Sequence, residues 1–192
     1  MITVILVLFI SIVSTLENRF SILNVYENDS VVVLKEDSIN DLDLPFPERD
    51  MYKELSSHFQ NFKVFDKIGI QDGPDFRMIS LVKEEKEILY FKFSPENKLL
   101  LDEVVATDSV VSDEYGIKVG SRVSDVIKKR DSDFRVHTDY HQHTYLIDDN
   151  SRISYEIDLN FNISDGRLGS IEVSVLEALK NSIIQRIIWS NK

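Results

Sequence analysis

Three histidines and an aspartate recur at alternate positions in the stretch HTDYHQH, residues 137–143: His137, Asp139, His141 and His143. On a continuous strand, side chains two apart share a face, and imidazoles beside a carboxylate form a donor set suited to zinc or copper. The spacing matches no zinc-ligand pattern of the usual kind. The segment also lies between two strand candidates, which predicts a hairpin connection whose alternation breaks at Asp139–Tyr140. The expectation is therefore four solvated turn side chains and no metal, with these four the candidates if a metal binds.

Asp37, Asp41 and Asp43 form an acidic loop with oxygen ligands for calcium. It lacks the loop glycine and the terminal glutamate of an EF-hand, so solvated carboxylates are the expectation there too. Neither G-x-S-x-G nor a P-loop or dinucleotide fingerprint occurs. The chain has no cysteine, which removes thiol nucleophiles, thiolate metal sites and disulfides together. The sequence thus reads as a protein that is not an enzyme, with no catalytic residue and no cofactor. Asn28 and Asn162 open N-x-S tripeptides, which matter only in a eukaryotic secretory host.

The elements that must carry these residues follow from periodicity. Pro47 predicts a helix start, and Met51, Leu55 and Phe59 recur at helical spacing, giving a helix over 48–60. Strands are expected at 31–34, 62–65, 77–82, 88–93, 99–106, 133–138, 143–148, 152–161, 170–175 and 183–189, separated by turn-forming segments such as SPENK and SDGRLG. Leu89, Phe91 and Phe93 share one strand face. In 153–161 the odd positions are apolar and expected inward, while Ser154, Glu156, Asp158 and Asn160 are expected outward. Between the two sets of strands, GIKVGSRVSDVIKKR (116–130) reads as an extended piece, a turn at Gly120, a cap at Ser121 and a helix over 121–130. Trp189 is expected in the core.

The chain has 192 residues, 43% of them hydrophobic, enough for a substantial core. Its 22 basic and 33 acidic side chains leave a net charge of −11, which disfavours nucleic acid as a partner. The first sixteen residues, MITVILVLFISIVSTL, carry no charged side chain. That run is short for a membrane span and fits the apolar region of a secretory signal. Residues 1–20 are therefore read as a leader or anchor, and 21–192 as a single α+β domain.

The two halves of that domain repeat an order. Each has a short helix, then F-x-V (Phe62 with Val64, Phe134 with Val136), then an antiparallel meander ending in an apolar strand. The expectation is two pseudo-repeated halves, about 30–108 and 109–192, sharing one core.

TDSVVSDEYGIKVGSRVSDVIKKR (107–130), RISYEI (152–157) and IIQRIIWSNK (183–192) resemble the sigma-E-regulated lipoprotein family of the Gram-negative envelope, a domain of unknown function. The resemblance is clearest over residues 104–130 and 183–192. It implies an exported, membrane-associated cell-envelope protein, and it brings no catalytic residues. Family lipoproteins carry a lipid-bearing cysteine after the leader. This chain has none, so a cleaved periplasmic form or an uncleaved amino-terminal anchor is expected instead. The functional expectation is a non-enzymatic binding or structural module with a protein partner in the envelope. The alternatives are a metal-binding protein or enzyme built on residues 137–143, or a proteinaceous inhibitor.

Overall fold

A computed structural model describes residues 31–70, 73–159 and 166–192. The leader, Asn28, Asn162 and the carboxyl end of the 152–161 segment lie outside these residues.

Residues 32–192 form one unit, of the α+β class and mostly antiparallel. In chain order its elements are β1 (Val32–Leu34), β2 (Ser38–Ile39), β3 (Leu42–Asp43), α1 (Tyr52–His58), β4 (Lys63–Gly69), β5 (Phe76–Lys83), β6 (Lys86–Phe93), β7 (Leu101–Ala106) and β8 (Val111–Asp113). There follow α2 (Val123–Arg130), β9 (Arg135–Thr138), β10 (Thr144–Ile147), β11 (Ile153–Ile157), β12 (Gly166–Arg167), a 3-10 turn (Leu168–Ser170), α3 (Val173–Asn181) and β13 (Ile184–Ser190). Nine strands make one sheet in the order β12-β9-β10-β11-β13-β7-β6-β5-β4. A small second sheet, β3-β2-β1-β8, contains the parallel pair β1–β8. Strands β4 to β7 thus run from one edge to the middle, and β9, β10, β11 and β13 approach the middle from the other side. The two series meet at the antiparallel pair β7–β13.

Strand alternation builds the core. Ile79 and Leu81 of β5, Leu89, Phe91 and Phe93 of β6, Val104 and Ala106 of β7, and Ile187 and Trp189 of β13 point to one face, where all are buried. Leu55 of α1, Val123 and Val126 of α2 and Leu179 of α3 join the same apolar cluster. The helices therefore cover one face of the large sheet. Truncating any of these buried leucines to alanine removes about 2–5 kcal/mol. Gly120, at φ +88°, makes the turn before α2, in the conformation that favours glycine.

Four local expectations need correction. The segment 170–175 is not a strand: a 3-10 turn leads into α3. Ile171, Val173 and Val175 alternate as a strand would, but Val173 is largely exposed, and Val175 and Leu176, partly buried, join the buried Leu179 in the stripe that meets the core. Strong helix formers, Glu177 to Lys180, carry the next turn. Helix α1 begins at Tyr52 rather than at Pro47, with the Asp50 carboxylate accepting from the Tyr52 N–H at 3.1 Å. Ser121 does not cap α2. Its hydroxyl accepts from the Lys118 N–H at 3.0 Å, and Arg122 occupies the cap without a side-chain bond. Finally, Glu156 is not on a wet position but is 7% exposed.

Candidate functional site

On the sheet face opposite the helices, neighbouring strands align polar and aromatic side chains. Tyr145, Glu156 and Arg186 lie side by side across β10, β11 and β13. Tyr90 and Ser80 lie in the next rows, between Val105 and Phe65. The charged groups pair across strands. Lys67 Nζ reaches Glu87 at 2.8 Å, and Glu87 also accepts from the Ser80 hydroxyl at 2.7 Å. Lys92 Nζ reaches Glu103 at 3.1 Å. Arg186 donates to one oxygen of Glu156 at 3.0 Å, and His143 Nδ1 lies 2.8 Å from the other. A carboxylate this buried is tolerated because two partners occupy both of its oxygens. Burial raises the Tyr90 and Tyr145 hydroxyls above their ordinary pKa, and Glu156 adds to the effect on Tyr145.

The 137–143 segment is the β9–β10 hairpin. His137, on β9, sits opposite Tyr145 with the two rings stacked 6.5 Å apart. Asp139 turns the chain, its Oδ1 accepting from the N–H groups of His141 at 3.0 Å and His143 at 2.8 Å. Its Oδ2 accepts from the Tyr145 hydroxyl at 3.3 Å. Partial burial pushes the Asp139 pKa up, but these donors outweigh it and leave the group below the ordinary carboxylate value. His141 packs against Tyr140 at 3.8 Å, and its ring centre is 6.4 Å from that of His143. Among the described residues, no group of three or more His, Asp or Glu side chains is placed to hold a metal ion. The hairpin thus separates the four candidates: His143 joins Glu156, while Asp139 is occupied by backbone. In the acidic loop Asp37 accepts from the Ser38 hydroxyl, and Asp43 faces Ser38 across the β2–β3 hairpin.

A second polar cluster lies on the helix side. Arg130, the last residue of α2, has a side chain only 2% exposed. Its guanidinium donates to the Tyr155 hydroxyl at 3.0 Å and to Asp148 at 3.3 Å, and it packs 4.8 Å from the centre of the Tyr115 ring. The Tyr155 hydroxyl donates in turn to Asp113, whose other oxygen accepts from the N–H groups of Tyr115 and Ile117. Burial raises the Asp113 pKa in spite of these donors. It also raises Tyr155 well above the ordinary phenol range, Asp113 adding to the effect. Burial alone lowers the Arg130 pKa, but Tyr155, Tyr115 and Asp148 hold it above its ordinary value. The cluster fixes the end of α2 against β8 and β11.

The sheet order and the helix-covered face have a solved counterpart. The chain is similar in fold to the uncharacterized protein YfeY from Escherichia coli, at TM-score 0.55 and 15% identity, over 82% of this chain and 99% of that one. No family model matches the chain, and no curated protein matches it. Among the described residues, no helix is long and apolar enough to cross a membrane.

Sequence reasoning singled out His143 but not its partners. Glu156 alternated with apolar neighbours and read as solvent-facing, and Arg186 stood alone in an apolar run. Arg130 read as a basic helix terminus suited to the dipole. The one available signal was Tyr155 and Glu156 adjacent on a core strand, a pair in which one polar end must find a buried partner.

Proposed function

We propose that this protein is an exported cell-envelope module that binds a protein partner through the polar face of its large sheet and performs no catalysis. The observation that carries this reading is the row of cross-strand pairs Lys67–Glu87, Lys92–Glu103 and Arg186–Glu156–His143. The charged groups of this face are held in place by one another, and Tyr90, Tyr145 and Phe65 stand among them. Fixed aromatic and paired polar side chains bind a surface with little loss of side-chain freedom. The likeness to an uncharacterized protein supports the fold on which this face is built and assigns no activity.

The envelope assignment rests on the uncharged leader and on the resemblance to the sigma-E-regulated lipoproteins. The reading of two duplicated halves draws support from the converging order of β4–β7 and of β9, β10, β11 and β13 about the β7–β13 pair, each series preceded by a helix.

The test is site-specific crosslinking in cells. A photoreactive residue at Tyr90 or Tyr145 captures one and the same envelope protein, and the same residue at Lys128 of α2 does not. Arg186→Gln, which removes the charge but keeps a donor for the buried Glu156, weakens the capture without changing the circular dichroism spectrum. Equal capture from all three positions rejects the sheet face as the binding surface. For export, a chain lacking residues 1–16 stays folded and remains in the cytosol. If it aggregates with loss of β-structure, the leader is a core strand.

A further inference from the structure

At one edge of the nine-stranded sheet β4 runs for seven residues with unbroken register against β5, no bulge and no proline. Long, regular edges of this kind invite pairing unless they are shortened, bulged or covered. This edge also carries apolar side chains into solvent: Phe65 is 48% exposed and Ile68 53%. Beside it is a depression of about 580 Å³ lined by Lys63, Phe65, Asp66, Lys67, Val82 and Glu85. Lysines usually guard an edge, but Lys67 is turned across the sheet to Glu87.

We propose that a second copy of this chain occupies the edge, with β4 pairing antiparallel to β4 about a two-fold axis at Asp66. This inference rests on the edge register of β4 and not on the binding reading for the sheet face, although Phe65 and Lys67 belong to both. Opposite residues in an antiparallel pair share a face, so a two-fold pairing of β4 with itself is centred on one residue. Centred on Phe65, it sets Lys63 against Lys67, two like charges. Centred on Asp66, it sets Val64 against Ile68 twice on the helix side, and Phe65 against Lys67 twice on the other. The first contact is apolar, and the second lays the aliphatic stem of Lys67, its Nζ held by Glu87, against the aromatic ring within the depression. The two Asp66 carboxylates meet at the axis, each paired with its own Arg77 through bonds of 3.1 and 2.7 Å, a guanidinium that also donates to Asp50 at 2.7 Å. The Tyr52 hydroxyl lies 3.4 Å from the Val64 carbonyl, a long bond that leaves a lone pair for an incoming N–H. The interface is isologous and closes on itself.

The absence of cysteine makes the test clean, because any introduced thiol is the only one in its chain. Directly opposed residues in an antiparallel pair have Cα atoms about 4.5–5.5 Å apart, within disulfide range. The full-length chain is oxidised as single variants, and as an equimolar mixture of Phe65→Cys with Lys67→Cys. Disulfide is expected from Asp66→Cys with itself and from the mixture as the mixed product, with little from Phe65→Cys alone or from Lys128→Cys on α2. The yield rises with salt, since two chains of net charge −11 repel. Ile68→Lys, added to Asp66→Cys, abolishes the product with an unchanged circular dichroism spectrum. The proposal is overturned by an absent crosslink, which gives the edge to a foreign strand. It is equally overturned by a product from Lys128→Cys of equal yield, by Phe65→Cys pairing with itself, or by a yield that falls with salt.

Discussion

Trp189 and Glu36, 153 positions apart, are joined by a hydrogen bond of 2.8 Å from the indole N–H to the Glu36 carbonyl oxygen. The Glu36 carboxylate meanwhile accepts from the Ser151 hydroxyl and from the Arg152 N–H at 2.7 Å. Glu36, two residues past the end of β1, thus ties the start of the described unit to its last strand and to the turn before β11. Trp189→Phe keeps most of the buried ring but leaves the carbonyl unpaired, and about 1–3 kcal/mol of stability goes with it. Trp189→Ala loses about 3–5 kcal/mol. Urea unfolding measures both. A Trp189→Phe variant as stable as the wild type sinks the assignment of a role to the N–H.

Arg130→Met removes the cation that Asp148 and Tyr155 share and lowers stability by about 3–5 kcal/mol, as expected when one partner of a buried pair is deleted. Arg130→Lys keeps the charge without the planar fork and recovers part of that loss. A methionine variant within about 0.5 kcal/mol of wild type, the size of a surface substitution, rules out an energetic role for the cluster.

Two buried carboxylates give opposite pH dependences. Burial pushes Asp108 up, but Lys86, the Val110 N–H and Ser109 outweigh it and hold its pKa below 3.8. Its contribution is therefore present above the unfolded value of about 3.9 and lost as pH falls through the lower folded value. Asp113 is raised by burial, so its contribution is present below the unfolded value and lost as pH rises through the folded one. Asp108→Asn should flatten the fall in stability below pH ~4, and Asp113→Asn should flatten the decline above it. Denaturation midpoints between acid and neutral pH read both slopes, and identical profiles for the two variants contradict the signs.

Replacing His137, His141 and His143 together with alanine strips Glu156 of one of its two partners and His137 of its stack on Tyr145. A loss of about 1–3 kcal/mol is expected, beyond that of solvated side chains. Melting curves of the wild type with excess zinc and with chelator should nearly coincide. A large zinc-dependent rise confined to the wild type revives the metal reading.

Val173 is the first residue of α3, and Glu172 before it has φ −56° and ψ 143°, compatible with a following proline. Val173→Pro should therefore be neutral within about 0.5 kcal/mol, since the first helical N–H has no intrahelical partner. Leu176→Pro, three positions on, removes the N–H that donates to the Glu172 carbonyl at 2.9 Å and should lower stability measurably. Thermal melts that rank the two variants the other way contradict the helix assignment.

Where period alone decides, the structure was readable in advance. Leu89, Phe91 and Phe93 alternate between polar neighbours and share the core face, and Gly120 marks the turn before α2. Where two periods compete, it was not. Ile171, Val173 and Val175 fit a strand until Leu176 and Leu179 are weighed as one stripe. Pro47 signals a helix start that the chain delays to Tyr52. The polar sites were hardest, because Glu156 gains its meaning from Arg186 and His143, and Arg130 from Asp148 and Tyr155. Such partners lie tens of residues away, and pairing across strands is set by register rather than by local composition.

The position of β13 bears on how the protein is made. This strand fills the middle of the nine-stranded sheet, between β11 and β7, yet it leaves the ribosome after every other strand of that sheet. Until then β7 and β11 have no neighbour on their inner sides, and Trp189 is missing from the core. A nascent chain therefore cannot close this sheet until β13 has emerged. Up to that point its inner strand edges stay open to chaperones.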